Sequence, residues 1–148
     1  MKVFLDTTIL LDVLLEREGF EDSVRLFELQ EDGKVKLFVS ILTMVNVAFV
    51  YKKTVGQYLA SANLKYLSTL VDVLPMDEDQ LQSALLLDGP DFEDTLQATC
   101  AATAACDYLV TRNQKDFIIK KGLAKKLSLP VVMSPSGFLS NTGLGVGH

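Results

Sequence analysis

The chain has 148 residues, 49% of them hydrophobic and 22% charged, a length that suffices for one domain able to bury a core without disulfide or metal staples. Its formal net charge of −5 speaks against holding nucleic acid through a general basic field, so any such contact must be local or cation-assisted. No apolar run approaches the roughly 20 residues of a membrane span, and Met1–Asp6 meets an acid too early for a signal-peptide core, so a soluble, cytoplasmic protein is expected.

Val3-Phe4-Leu5 reads as a strand ended by Asp6, and Thr7 through Leu15 as a helix on which Asp12 is expected at the surface. A second helix spans Phe20 to Asp32 and stops at Gly33, a good left-handed terminator. Strand two follows at Lys36 to Ser40, then helices over Thr43 to Lys53 and Gly56 to Leu70, and a third strand at Val71 to Pro75. Asp77 is an N-cap candidate for a helix from Glu78 to Leu87, closed by Asp88-Gly89-Pro90. The next helix begins in Asp91-Phe92-Glu93-Asp94 and runs to about Ala105. Strand four covers Tyr108 to Thr111, a partly helical basic segment Asn113 to Lys126, and strand five Pro130 to Met133 before a turn at Pro135. This alternation predicts a three-layer α/β/α domain over residues 1–140 with a central, mainly parallel five-stranded sheet, and residues 141–148 as a flexible C-terminal tail. Cys100 and Cys106 sit about 9 Å apart along their helix axis, beyond disulfide reach, and read as small core residues of a reducing compartment.

In an open parallel sheet, ligands bind beyond the carboxyl ends of the strands. Acidic or polar residues collect there: Asp6 after strand one, Asp77 after strand three, Asn113 and Asp116 after strand four, with Asp91, Glu93 and Asp94 opening the helix that leads into strand four. Each has a structural alternative. Asp6 and Asp77 can cap helices, and Asp91 with Asp94 has the spacing of a capping box in a first turn that favours acids. The sole histidine is the terminal His148, which removes histidine general-base chemistry and a Ser-His-Asp triad. No GxxxxGK[ST] loop is present, and the glycines from Gly143 to Gly147 follow the last element instead of joining strand to helix. Hydrolysis by this chain would therefore rest on carboxylates and a hard cation such as Mg²⁺ or Mn²⁺.

The segment Val3-Phe4-Leu5-Asp6-Thr7-Thr8-Ile9-Leu10 resembles the opening of PIN domains, with Thr8 where asparagine is usual. Val39-Ser40-Ile41-Leu42-Thr43, Phe92-Glu93-Asp94-Thr95-Leu96-Gln97-Ala98, Leu109 through Phe117 and Val131 through Phe138 resemble the later motifs in the same order. The resemblance covers residues 1 to about 140 and implies a metal-dependent endoribonuclease fold like that of VapC-type toxins. It makes Asp6 and Asp94 ligands of Mg²⁺ or Mn²⁺ and places Asn113 and Asp116 in the fourth motif. Thr8, Ser40, Thr43, Asn46 and Asp91 would hydrogen-bond to the ligands or orient water, and Arg112 and Lys115 would contact RNA phosphates. Asn46 stands where many PIN domains carry glutamate. It offers an oxygen but no charge, so the site would hold its metal more weakly. RNA is the implied substrate, a small antitoxin protein and a second copy of the chain the implied partners. A catalytically degenerate module binding RNA or protein is the alternative motivated by the two asparagines. A haloacid-dehalogenase-like phosphatase also begins with a strand and an aspartate, but wants a second aspartate where Thr8 stands.

Overall fold

The computed structural model describes residues 1–117 and 127–145. The expected basic stretch from Lys120 to Lys126 and the terminal His148 lie outside the described residues. Five short strands, β1 (Lys2–Leu5), β2 (Lys36–Ser40), β3 (Asp72–Leu74), β4 (Tyr108–Val110) and β5 (Val131–Met133), form one sheet in the order β3-β2-β1-β4-β5. Every neighbouring pair is parallel, so the expectation of a mainly parallel sheet becomes one of an entirely parallel sheet.

The connections are helical, as parallel strands require. Among the described residues these are α1 (Thr7–Leu15), α2 (Phe20–Glu31), α3 (Ile41–Val55), α4 (Gln57–Leu70), α5 (Glu78–Leu87), α6 (Phe92–Thr103), a 3₁₀ turn at Gln114–Phe117, and α7 (Pro135–Thr142). α3 begins two residues earlier than its apolar pattern suggests, because the Ser40 hydroxyl accepts from the Thr43 N–H and caps it. α6 ends two residues earlier than expected, and Ala105 turns left-handed at φ 56°. Asp77 does cap α5, in a reciprocal box with Gln80. α7 carries the chain to Thr142, and Leu144 beyond it packs on the core.

Successive strand residues point to opposite faces, and the register sorts them cleanly. Phe4 pairs with Phe38 and with Leu109, and these three pack with Ala98 and Ala101 of α6 and with Phe117. Val3, Leu5, Leu37, Val39 and Val110 face the other way, against Ile9 and Leu10 of α1 and Leu26 and Leu29 of α2. The sheet is thus covered on both sides, giving the three layers expected. Cys100 and Cys106 are both free and buried, as their positions suggest. Among the described residues no helix is long and apolar enough to cross a membrane.

Strand order has one functional consequence. The chain steps outward from β1 to β2 to β3, then returns to lay β4 against the other edge of β1. The C-terminal ends of β1 and β4 therefore flank the switch point, where doubly wound sheets open a crevice.

Candidate active site

Asp6 and Thr111 leave β1 and β4 side by side at that crevice. The Asp6 N–H donates to Val110 O at 3.0 Å, continuing the strand pairing by one residue. Its carboxylate Oδ2 accepts from the Thr8 hydroxyl at 2.9 Å and the Thr111 hydroxyl at 2.8 Å. Each hydroxyl in turn accepts a backbone N–H from the loop after β4: Arg112 donates to Thr8 Oγ1 at 3.2 Å and Asn113 to Thr111 Oγ1 at 3.0 Å. Asp6 is buried, and its side chain makes no cap bond to α1. Asp6 nevertheless stands at the N-cap position of α1. Burial raises its pKa above the ordinary value, opposed by the two threonine hydroxyls and by the amides of Thr7 and Thr8.

Asp94 enters from α6. Asp91 is the N-cap, accepting the Asp94 N–H at 3.0 Å, which leaves the Asp94 carboxylate free of the capping task. Burial pushes Asp94 up to about 7, and the negative charges of Asp6, Asp91, Asp116 and Glu93 add to the push. Asp6 and Asp116 therefore share one negative field with Asp94. Among the described residues the ion pairs are Arg25–Glu28, Lys36–Asp72 and Arg112–Asp12, and neither Asp6 nor Asp94 belongs to one. Asn113 is exposed beside this group, and Asp116, which donates its N–H to Asn113 O at 3.0 Å, is half-buried.

The second-motif helix contributes amides and hydroxyls. Asn46, half-buried on α3, donates through Nδ2 to Glu93 Oε1 on α6. A carboxylate thus lies against the residue that lacks one. One turn deeper, Ser40, Thr43 and Gln97 are fully buried and bonded to one another: Ser40 Oγ to Gln97 Oε1, and Gln97 Nε2 to Thr43 Oγ1 at 2.7 Å, with the two hydroxyls 3.2 Å apart.

Two residues differ from the sequence reading. Asp12 is buried at 4% exposure, not at the surface, because Arg112 reaches across from the loop after β4 to pair with it, Nε to Oδ2 at 2.6 Å. The same guanidinium donates to Gly19 O at 2.6 Å. Gly19 has φ 82°, and a Cβ there would stand 3.2 Å from the guanidinium, so glycine serves both the turn and the approach. Arg112, expected at RNA phosphates, thus spends two nitrogens inside the protein, whereas Lys115 is exposed.

Oxygen donors dominate the site, with neither imidazole nor thiolate among them, which suits a hard divalent cation. Among the described residues no three Asp, Glu, His or Cys side chains converge closely enough to hold a metal by themselves. That pattern fits Mg²⁺-type binding, in which one or two carboxylates act and waters fill the remaining positions. Thr111 and Gln97 are not among the site residues read from the sequence, and Glu93 is there only as one of the first-turn acids, without its contact to Asn46. Thr111 directly follows β4, and Glu93 lies in the same first turn as Asp94; both positions signal the site. Nothing in the local pattern marks Gln97.

The acid cluster sets a pH dependence. A carboxyl raised from 3.8 to about 7 contributes to metal-free stability fully below the unfolded value and loses that contribution as pH rises through about 7; Asp6, also raised, acts with the same sign. Metal-free protein should melt lower near pH 8 than near pH 5, with a smaller drop in Asp94→Asn, and Mn²⁺ should raise the melting temperature more at about pH 8 than at about pH 5. Thermal melts across that range with and without a chelator check this; a drop of equal size in Asp94→Asn would remove Asp94 as its source.

The PIN domain family model matches residues 2–115. No curated protein matches the chain in sequence. The VapBC-1 structure from nontypeable Haemophilus influenzae is similar with a TM-score of 0.67 at 17% identity, covering 92% of this chain and 99% of that one. VapBC2 from Rickettsia felis, bound to a DNA fragment from its promoter, gives 0.66 at 15% identity over 90% of this chain and 98% of that one. VapC20 from Mycobacterium tuberculosis, a Sarcin-Ricin loop cleaving toxin, gives 0.61 at 14% identity over 80% and 99%. With its motifs at the ends of β1 and β4 and at the head of α6, this chain belongs to the PIN domain family.

Proposed function

We propose that the protein is a divalent-metal-dependent endoribonuclease, the toxin of a toxin–antitoxin pair. The observation that carries the reading is the pairing of two aspartates, Asp6 and Asp94, in one negative field with no cationic side chain against either among the described residues. Such a field lowers the potential of a cation more than that of any other ligand. Asp6 and Asp94 would hold Mg²⁺ or Mn²⁺ directly or through water, and the bound ion would supply Lewis-acid activation of water and charge neutralisation at the phosphate. Asp116, whose charge reaches Asp94, is favoured over Asn113 as the fourth-motif acid; Asn113 would orient water. Thr8 and Thr111 fix the Asp6 carboxylate by donating to Oδ2. Asn46 and Glu93 act together, the amide orienting the carboxylate it cannot itself provide. Lys115 would meet RNA phosphate, with Arg112 offering what its bonds to Asp12 and Gly19 leave free.

A partner of antitoxin type is supported by the VapBC complexes among the similar structures. A mainly apolar groove of about 340 Å³ between α1, α2, α3 and α4, lined by Leu14, Val24, Phe27, Tyr51, Asn63 and Leu67 among others, contains none of the acids and would suit an apolar helix of such a partner.

The two asparagines, Asn46 and Asn113, favour, as a second reading, a domain that binds RNA without cutting it. Incubation of a structured RNA with purified protein and Mn²⁺ separates the two. Cleavage that a chelator stops, with DNA of the same sequence left intact, supports the nuclease; RNA retention without cleavage supports the binding module.

A further inference from the structure

Gln97 is a buried amide in the middle of the α6 face that packs on the sheet, a place where a leucine or methionine would ordinarily stand. Burying an amide is unfavourable unless its bonds are met. Here both ends are met, the carbonyl by Ser40 and the amino group by Thr43. In this triangle of side chains, Ser40 Oγ is within donating reach of both Gln97 Oε1 and Thr43 Oγ1, the latter at 3.2 Å, and its single proton serves one of them at a time. Ser40 is at the same time the N-cap of α3, accepting the Thr43 N–H at 3.0 Å.

The location of this triangle gives it a second consequence. Gln97 lies one turn beyond Asp94 on α6, and Thr43 one turn before Asn46 on α3, about 4.5 Å along each axis. α3 packs on α4, α1 and β2, and α6 on α5, β2 and the 3₁₀ turn, so the two helices are related through the end of β2 and not by broad packing on each other. Two polar contacts cross that gap: Asn46 to Glu93 near the surface, and Gln97 to Thr43 beneath it. The buried contact, out of competition with water, is the stiffer of the two.

We propose that Gln97 is a positioning residue of the cation site, its triangle with Ser40 and Thr43 fixing the α3–α6 gap across which Glu93, beside Asp94, meets Asn46. The inference rests on the metal-dependent reading above, and it concerns how tightly the site is held, not which atoms touch the ion. A displacement of about 1 Å is enough to matter at such a site.

The test is Mn²⁺ binding by the full chain, read from loss of the free-ion electron paramagnetic resonance signal, beside metal-free melting. Gln97→Met keeps the length of the side chain and lets Ser40 and Thr43 bond to each other, so no buried group is orphaned. The expected result is Mn²⁺ affinity lowered by about 10- to 100-fold with the melting temperature held or raised. Mn²⁺ affinity equal to that of the unaltered chain overturns the proposal while leaving the metal reading intact. Absence of Mn²⁺ uptake by the unaltered chain overturns both. If Gln97→Met does not fold, Gln97→Leu, which likewise removes the amide and leaves Ser40 its cap bond to the Thr43 N–H, is held to the same two outcomes.

Discussion

On the proposed reading, Asp6→Asn is expected to lower RNA cleavage by on the order of 100-fold or more, the scale of losing one preorganised electrostatic group, and to abolish Mn²⁺ uptake, while the fold survives. The separation of the two effects follows from the hydrogen bonds. The asparagine carbonyl still accepts the Thr8 and Thr111 hydroxyls that now converge on Oδ2, so the stitching between β1 and the loop after β4 persists. What disappears is a charge that burial disfavours, and its removal leaves the melting temperature unchanged or higher. Single-turnover cleavage, Mn²⁺ titration and a thermal melt on one preparation check the triple expectation. Cleavage and uptake at the level of the unaltered chain would show that the cation sits elsewhere.

Arg112→Ala is expected to act in the opposite sense, on stability before chemistry. It leaves the Asp12 carboxylate, 6% exposed, with only the Ser23 hydroxyl at 3.5 Å. Stranding a buried charge costs about 3–5 kcal/mol; the low end, about 3 kcal/mol, applies because the Arg112 side chain is itself 31% exposed and water can follow it in. The Arg112→Leu and Asp12→Leu double variant should recover most of the loss, since no charge is then left without a partner. Urea unfolding of the two variants measures this, and a loss within about 0.5 kcal/mol, the range of an ordinary surface change, would show that Asp12 finds solvent. The salt dependence of RNA retention then reports any phosphate contact separately.

The elements of the fold were largely legible because each rests on local pattern. β2, α1 and α5 occupy the residues expected, and most others shift by a residue or two where a cap such as Ser40 or a left-handed residue such as Ala105 decides the end, whereas α7 stands where the local pattern gives only a turn at Pro135. The acids were legible for a related reason: parallel topology puts the residue after each strand on one edge, so Asp6 could be placed before any contact was known. What escaped was every pairing between distant residues. Asp12 and Arg112 are separated by 100 positions, and Ser40 and Gln97 by 57. A polar residue on an apolar helix face looks the same in sequence whether it faces water or a buried partner, and only the packed structure distinguishes them. The same blindness hid the contact of Glu93 with Asn46 and made Arg112 look free for RNA.

The position of β1 at the centre of the sheet also has a kinetic meaning. It is the first strand made, yet its neighbour β4 follows about a hundred residues later, and the Thr111–Asp6 bond closes a loop of 105 positions. Such distant closure slows folding relative to a fold built from local contacts. A chain emerging from the ribosome therefore carries Asp6 long before it carries Asp94 or Thr111, so no finished acidic pocket forms until synthesis has passed Thr111.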